Sequence, residues 1–172
     1  GIIFKIKNLD ESMKIAVIGL GFVGLSLTSV LASRGNNVIG IDVDVEKCRK
    51  IRSGITPFFE PGLEKMLRIG LKKKLTISDD FLLVKDCDMI FVAVGTPQKS
   101  NGAIELSMIK KAVTSIGRIL AKSKKSPIVL IKSTVIPGTM QNIILPILEK
   151  RSGKKAGKEF GLISNPEFLQ ES

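Results

Sequence analysis

The 172-residue chain contains no histidine, no tryptophan and no tyrosine, and only two cysteines. Each absence closes a line of chemistry. Without His there is no Ser–His or Cys–His nucleophile pair and no His-ligated zinc site. Cys48 and Cys87 are too few for a disulfide framework or a four-cysteine metal site, so no metal is expected. The same scarcity fits a reducing, cytoplasmic setting. The only aromatics are eight Phe, so the basic residues have no Trp or Tyr platform on which to stack a base. No run approaches the ~18 apolar residues of a membrane helix, and no membrane partner is expected. Residues 1–12 hold Ile2, Ile3 and Phe4 but lack the apolar core of a signal peptide. They read as an N-terminal extension or an extra strand.

What is present is the composition of an ordinary globular domain, 44% hydrophobic and 25% charged. The formal net charge is +11. The cations fall in short clusters: Lys72–Lys74, then Lys122, Lys124 and Lys125, then Lys150–Lys158. Each cluster sits at a helix end or in a loop, where cations complement the helix C-terminal dipole and stay solvated. Nucleic acid is therefore not the expected partner. The remaining use of the charge is attraction of anionic ligands such as nucleotides.

Short apolar runs alternate with helical stretches. Strands are read at 13–18, 37–41, 75–77, 88–94, 127–132 and 160–163. A helix is read from the Gly24 region to Ser33, with Leu27, Val30 and Leu31 on one face. Others cover Val45–Ile51, a stretch opened by Glu60-Pro61-Gly62 with Pro in its first turn, and a repeat through Ile109, Ala112, Val113, Ile116, Ile119 and Leu120. A last helix follows Pro137-Gly138, and Pro146 inside it should kink it. Strands that are apolar throughout and separated by helices argue a parallel sheet covered on both faces. The expected fold is α/β, doubly wound and Rossmann-like, with about six mostly parallel strands.

Gly19-Leu20-Gly21-Phe22-Val23-Gly24 follows the first strand and opens a helix. Gly19 allows the tight turn, Gly21 lets backbone approach a pyrophosphate, and Gly24 permits close helix–sheet packing. The helix N-terminus offers N–H groups and a positive dipole end to the phosphates. Asp42 ends the second strand eighteen residues beyond Gly24, near the ~20 of dinucleotide sites. Its carboxylate would accept ribose hydroxyls and repel a 2′-phosphate, which favours NAD over NADP. Lys47 lies one turn into the next helix, in reach of a phosphate or ribose. Three further loops leave strands at the same edge: Gly95-Thr96-Pro97, Ser133-Thr134-Val135 and Asn165-Pro166-Glu167. They carry hydroxyls, an amide and a carboxylate toward the nicotinamide half.

These segments, with Phe59-Glu60-Pro61-Gly62-Leu63 and Ser164-Asn165-Pro166-Glu167-Phe168-Leu169, resemble the N-terminal domain of the UDP-glucose 6-dehydrogenase family across residues 13–171. That family oxidises the C6 alcohol of a UDP-sugar twice, to the carboxylate, reducing two NAD. The resemblance implies an NAD-binding Rossmann domain over 13–172, with the central helical and UDP-binding domains, the nucleophilic Cys and its partner Lys absent from this chain. It implies NAD contacts from Gly19, Gly21, Phe22, Val23, Gly24, Asp42, Lys47, Thr96, Pro97, Ser133, Thr134 and Glu171. It further implies that Thr134 and Glu167 position or activate water in hydrolysing a thioester. Asn165-Pro166-Glu167 favours the UDP-glucose branch over enzymes of UDP-N-acetylmannosamine. The full-length protein would be a homodimer, and this chain alone would bind NAD without turnover. A non-catalytic NAD-sensing module is the alternative of another class.

Overall fold

The computed structural model describes residues 13–98 and 100–166. The N-terminal extension, Glu167 and Glu171 lie outside the described residues. The chain runs β1 (Lys14–Ile18), α1 (Phe22–Ser33), β2 (Asn37–Ile41), α2 (Val45–Arg52), α3 (Leu63–Leu71), β3 (Leu75–Ser78), a 3₁₀ helix (Phe81–Asp86) and β4 (Met89–Val92). It continues through α4 (Ser107–Lys122), β5 (Ile128–Ile131), a π-helical turn (Met140–Ile144), α5 (Leu145–Ser152) and β6 (Gly161–Ser164). The six strands form one sheet in the order β3-β2-β1-β4-β5-β6, and every pairing is parallel. The doubly wound architecture is the one the apolar strands require.

Alternation along each strand sends side chains to two cores. Ala16, Ile18, Ile90, Val92, Val129 and Ile131 face Ile109, Ile116 and Leu120 of α4 and Leu148 of α5. Val17 and Val38 face the other way, packed with Leu25 and Ala32 of α1, Ile51 of α2 and Leu67 of α3.

Three local readings need correction. The buried face of α1 is Gly24, Leu25, Thr28, Ser29 and Ala32, whereas Leu27 and Leu31 are only partly buried. Small residues are chosen on the inner face because the helix lies close to the sheet. Thr28 satisfies its hydroxyl on the Gly24 carbonyl, 2.7 Å away. Pro61 does not enter the first turn of α3; Gly62, at φ +82°, forms the cap, and the helix begins at Leu63. Pro146 stands in the first turn of α5 rather than inside one continuous α-helix. It has no N–H to donate to the carbonyl of Asn142, and the preceding turn is wound wide as a π-helix before α5 resumes. The 3₁₀ helix was not foreseen; Asp80 caps it by accepting from the Leu82 N–H at 2.9 Å.

Close packing of α1 on α3 depends on Gly70, where an added Cβ would stand 2.7 Å from the Ala32 Cβ. Gly70→Val should cost about 1–3 kcal/mol through overpacking. Urea unfolding should show a lower midpoint with an unchanged slope; an unchanged midpoint would show that this contact yields freely.

Candidate functional site

The strand order places β1 between β2 and β4, and the chain moves outward in opposite directions from it. That reversal opens a crevice at the carboxyl ends of β1 and β4, the place where open α/β sheets bind ligands. A cavity of about 420 Å³ lies there. It is bounded by Gly19 and Gly21 after β1, Asp42 and Val43 after β2, and Val94 and Gly95 after β4.

The three glycines do different work. Gly19 has φ +93°, and a Cβ there would lie 2.8 Å from the Ala93 carbonyl oxygen and the Val94 nitrogen. Its N–H donates to the Ile41 carbonyl at 2.8 Å, which ties the turn to β2. A Cβ on Gly24 would overlap the Gly19 carbonyl oxygen and sit 3.3 Å from the Ala93 side chain. Gly24 thus clears the loop's own backbone as well as the sheet. Gly21 is the N-cap of α1 at φ −77°, and a Cβ there would meet no protein atom within 4 Å. No side chain caps this helix, and its first turn contains no acidic residue. Its N-terminal N–H groups are available to an anion. Phe22 and Val23 are the first two residues of this helix, and the Phe22 ring packs on Phe58, with centroids 5.1 Å apart.

Asp42 is only 7% exposed and is held by backbone N–H groups and Lys47. Oδ2 accepts from the Leu20 N–H and from Lys47 Nζ, both at 2.8 Å. Oδ1 accepts from the Asp44 N–H at 3.0 Å. Burial pushes the carboxyl pKa up, but the Lys47 hydrogen bond and the two backbone N–H donors outweigh it, and the net shift is downward. Asp42 is ionised at neutral pH. A carboxylate oxygen carrying one bond retains acceptor capacity, so Oδ1 can take a hydroxyl. Lys47 lines the cavity, and its ammonium is held on Asp42.

On the other side of the crevice, Thr96 Oγ1 donates to the Thr134 carbonyl at 2.9 Å and joins the loops after β4 and β5. Pro97 leads from Thr96 into a small excursion closed by an antiparallel bridge between Gln98 and Ile104. Ser133 is 6% exposed, and its hydroxyl donates to the Val94 carbonyl at 2.7 Å. Its proton is committed to the β4–β5 junction, while the oxygen's lone pairs remain as acceptors. After β6, the Asn165 N–H donates to the Ile131 carbonyl at 2.9 Å and Lys132 Nζ donates to Asn165 Oδ1 at 2.9 Å. The structure therefore gathers the loops after β1, β2, β4 and β5 at one edge, with Asn165 following β6. Glu167 and Glu171 are outside the described residues.

The family described as UDP-glucose/GDP-mannose dehydrogenase, NAD binding domain, matches residues 13–172. The chain belongs to this family. A GDP-mannose 6-dehydrogenase of Pseudomonas syringae pv. tomato is 43% identical over 162 residues, 93% of this chain and 37% of that protein. UDP-glucose 6-dehydrogenase AglM of Haloferax volcanii is 35% identical over 159 residues, 92% of this chain and 37% of that protein. The crystal structure of a ternary complex of GDP-mannose dehydrogenase from Pseudomonas aeruginosa superposes with a TM-score of 0.89 at 42% identity, covering 93% of this chain and 37% of that one. The chain spans a little over a third of the length of these relatives. The site described above has features that suit the NAD-binding domain of this family. The uncapped α1 terminus suits a pyrophosphate, the open space at Gly21 admits it, and Asp42 suits a ribose.

The sequence reading missed one wall of the cavity. Phe81 of the 3₁₀ helix and Met108, Lys111, Ala112 and Ser115 of α4 line it opposite the glycine loop. Their only sequence signal was position, in the elements that follow β3 and β4. The clusters at 72–74, 122–125 and 150–158 lie at helix ends and in the connections before β3, β5 and β6, at the sheet edge away from the cavity, whereas the cations that line the cavity are Lys47 and Lys111.

Both cysteines are fully buried, Cys48 donating to the Asp42 carbonyl at 3.5 Å. Burial pushes both thiols up, Cys87 to about 11. Neither is a nucleophile. Ellman's reagent at pH 8 should titrate no thiol in the folded chain and two in guanidinium; rapid reaction of either in the native state would contradict this burial.

Because the Asp42 pKa is depressed on folding, its contribution to stability is complete above the ordinary carboxylate range and is lost as pH falls through the lowered value. The stability difference between wild type and Asp42→Asn should be constant above about pH 5 and shrink in more acidic solution. Urea midpoints across pH test this, and a gap that widens on acidification would reverse the assignment.

Proposed function

We propose that this chain serves as the cofactor half of an enzyme that oxidises the C6 alcohol of a nucleotide sugar to the carboxylate. What supports the reading is the joining of an open, uncapped glycine turn at Gly21 to an ionised Asp42 in one cavity. NAD supplies the hydride acceptor. Gly19, Gly21, Phe22, Val23 and Gly24 would present backbone to its pyrophosphate. Asp42 would accept from the adenosine ribose, and Lys47, released from or shared with Asp42, would balance the phosphate charge. Thr96, Pro97 and Thr134 would border the nicotinamide, with Ser133 holding their two loops together through Val94. Thr134 and Glu167 would position water for hydrolysis of the enzyme-bound acyl group, and Glu171 would help shape the same region.

The sugar has two supported readings. Asn165-Pro166-Glu167-Phe168-Leu169 supports UDP-glucose, with UDP-N-acetylmannosamine its relative. The 43% identity to a GDP-mannose 6-dehydrogenase, against 35% to AglM, supports GDP-mannose. Assaying the full-length protein with each nucleotide sugar separates them. That protein is proposed to act as a homodimer, whereas this chain alone binds NAD without turnover. A sensor would bind NAD equally but oxidise no nucleotide sugar in full-length form.

Calorimetry on the chain tests the cofactor site directly. NAD should bind at least about tenfold more tightly than NADP, since a 2′-phosphate would meet the Asp42 carboxylate. Gly21→Val should abolish NAD binding while leaving the melting temperature within a few degrees, because its side chain enters only the ligand's space. Equal affinity for the two cofactors, or undiminished binding by the Val variant, would refute this arrangement.

A further inference from the structure

Segments 72–74, 122–125 and 150–158 hold eleven Lys and Arg residues and no Asp or Glu. All three are connections that lead into strands, β3, β5 and β6. In a parallel sheet they share the edge opposite the cofactor cavity. The segments meet their neighbours there. Lys154 Nζ donates to the Ser123 carbonyl at 2.7 Å, and Lys125 pairs at 2.7 Å with Asp88 at the foot of β4. Lys155 is taken by Glu149 at 2.8 Å. Lys72, Lys74, Lys122, Lys124, Lys150 and Lys158 are exposed and have no carboxylate partner among the described residues. Around the cavity the charges are mixed: Asp42, Lys47 and Lys111 line it, with Asp44 and Glu46 after β2 and Asp79 and Asp80 after β3. At the opposite edge the eleven cations outnumber the carboxylates Asp86, Asp88, Glu149 and Glu159, so the excess positive charge gathers there.

The chemistry of the basic edge indicates what it recognises. α1, α3, α4 and α5 end there, so the helices present carbonyl groups and no N–H cradle for a single phosphate. Ten of the eleven cations are Lys, mobile point charges without the fork that reads a phosphate bidentately. There is no Trp or Tyr in the chain to stack on a base. The row follows six strands, roughly 24 Å at the usual strand spacing. Such an edge responds to charge density over an extended plane. We propose that it is a docking surface for an anionic lipid bilayer, held by the lysines of these three segments, with the cofactor cavity facing away from the lipid. Adsorption of this kind needs no membrane-spanning helix.

Co-sedimentation of the 172-residue chain with vesicles tests the proposal. The chain should pellet with phosphatidylglycerol–phosphatidylcholine vesicles at low salt, and not with phosphatidylcholine alone. Binding should be lost near ~0.5 M salt, where screening shortens to a few ångströms. The double variant Lys124→Glu/Lys158→Glu should lower partitioning about tenfold or more. Lys65→Glu/Lys110→Glu makes the same charge change near the starts of α3 and α4, and should alter partitioning no more than about twofold. Both variants should keep the wild-type NAD affinity and melting temperature. Equal loss in both variants, or equal binding to neutral vesicles, would overturn the proposal. So would tighter binding to duplex DNA than to anionic vesicles at the same salt, which would make the edge a nucleic-acid surface. Should the Lys124/Lys158 variant fail to fold, the wild-type comparison of neutral with anionic vesicles decides alone.

Discussion

One carboxylate holds the cofactor side of this domain together. Asp42 stands at the end of β2, yet its Oδ2 accepts the N–H of Leu20 in the turn after β1. The same group fixes the start of α2 through Asp44 and restrains Lys47. A hydrogen bond to a buried charged acceptor is stronger than a neutral one. The turn that must present Gly21 to a ligand is thereby set by the residue that would read the ligand's ribose. Recognition and loop geometry are one interaction, so changing the acid disturbs the pyrophosphate region as well as the sugar specificity.

Much of this was legible in the chain because it follows from local constraints. Strands such as Lys14–Ile18 and Asn37–Ile41 are apolar on both faces, which leaves a helix-covered parallel sheet as the outcome. The Gly19–Gly24 pattern and the spacing to Asp42 depend on one turn and one neighbouring strand, and those positions come together in the structure as the pattern requires. What failed depends on contacts distant in sequence. α1 carries no charged residue and mixes apolar and hydroxyl side chains around its whole circumference, so periodicity alone did not select Gly24, Thr28 and Ser29 as its inner face. That choice is made by how near the sheet and α3 approach. The wall formed by Phe81, Met108, Lys111, Ala112 and Ser115 is likewise built by elements that only the folded topology brings across from the glycine turn.

Ser133 shows what position alone leaves open. Its position after β5 places it among the loops of the functional edge, and a hydroxyl there reads naturally as a ligand contact. Its proton closes the junction with β4 through the Val94 carbonyl, and the oxygen keeps acceptor capacity. Together with the bond from Thr96 to the Thr134 carbonyl, it couples the two loops after β4 and β5 proposed to border the nicotinamide. Position along a strand identifies the edge on which a side chain lies. Which way it turns there is settled by the unpaired carbonyls that strand ends leave.

The glycine turn separates two kinds of necessity that a motif ordinarily fuses. At positions 19 and 24 a side chain collides with the protein itself; at position 21 it meets nothing but the space where a ligand would lie. A descendant relieved of any duty to bind would have to keep the first two glycines in order to fold, and would be free to lose the third. Drift at position 21 alone would therefore mark a domain that had kept its architecture and abandoned its cofactor.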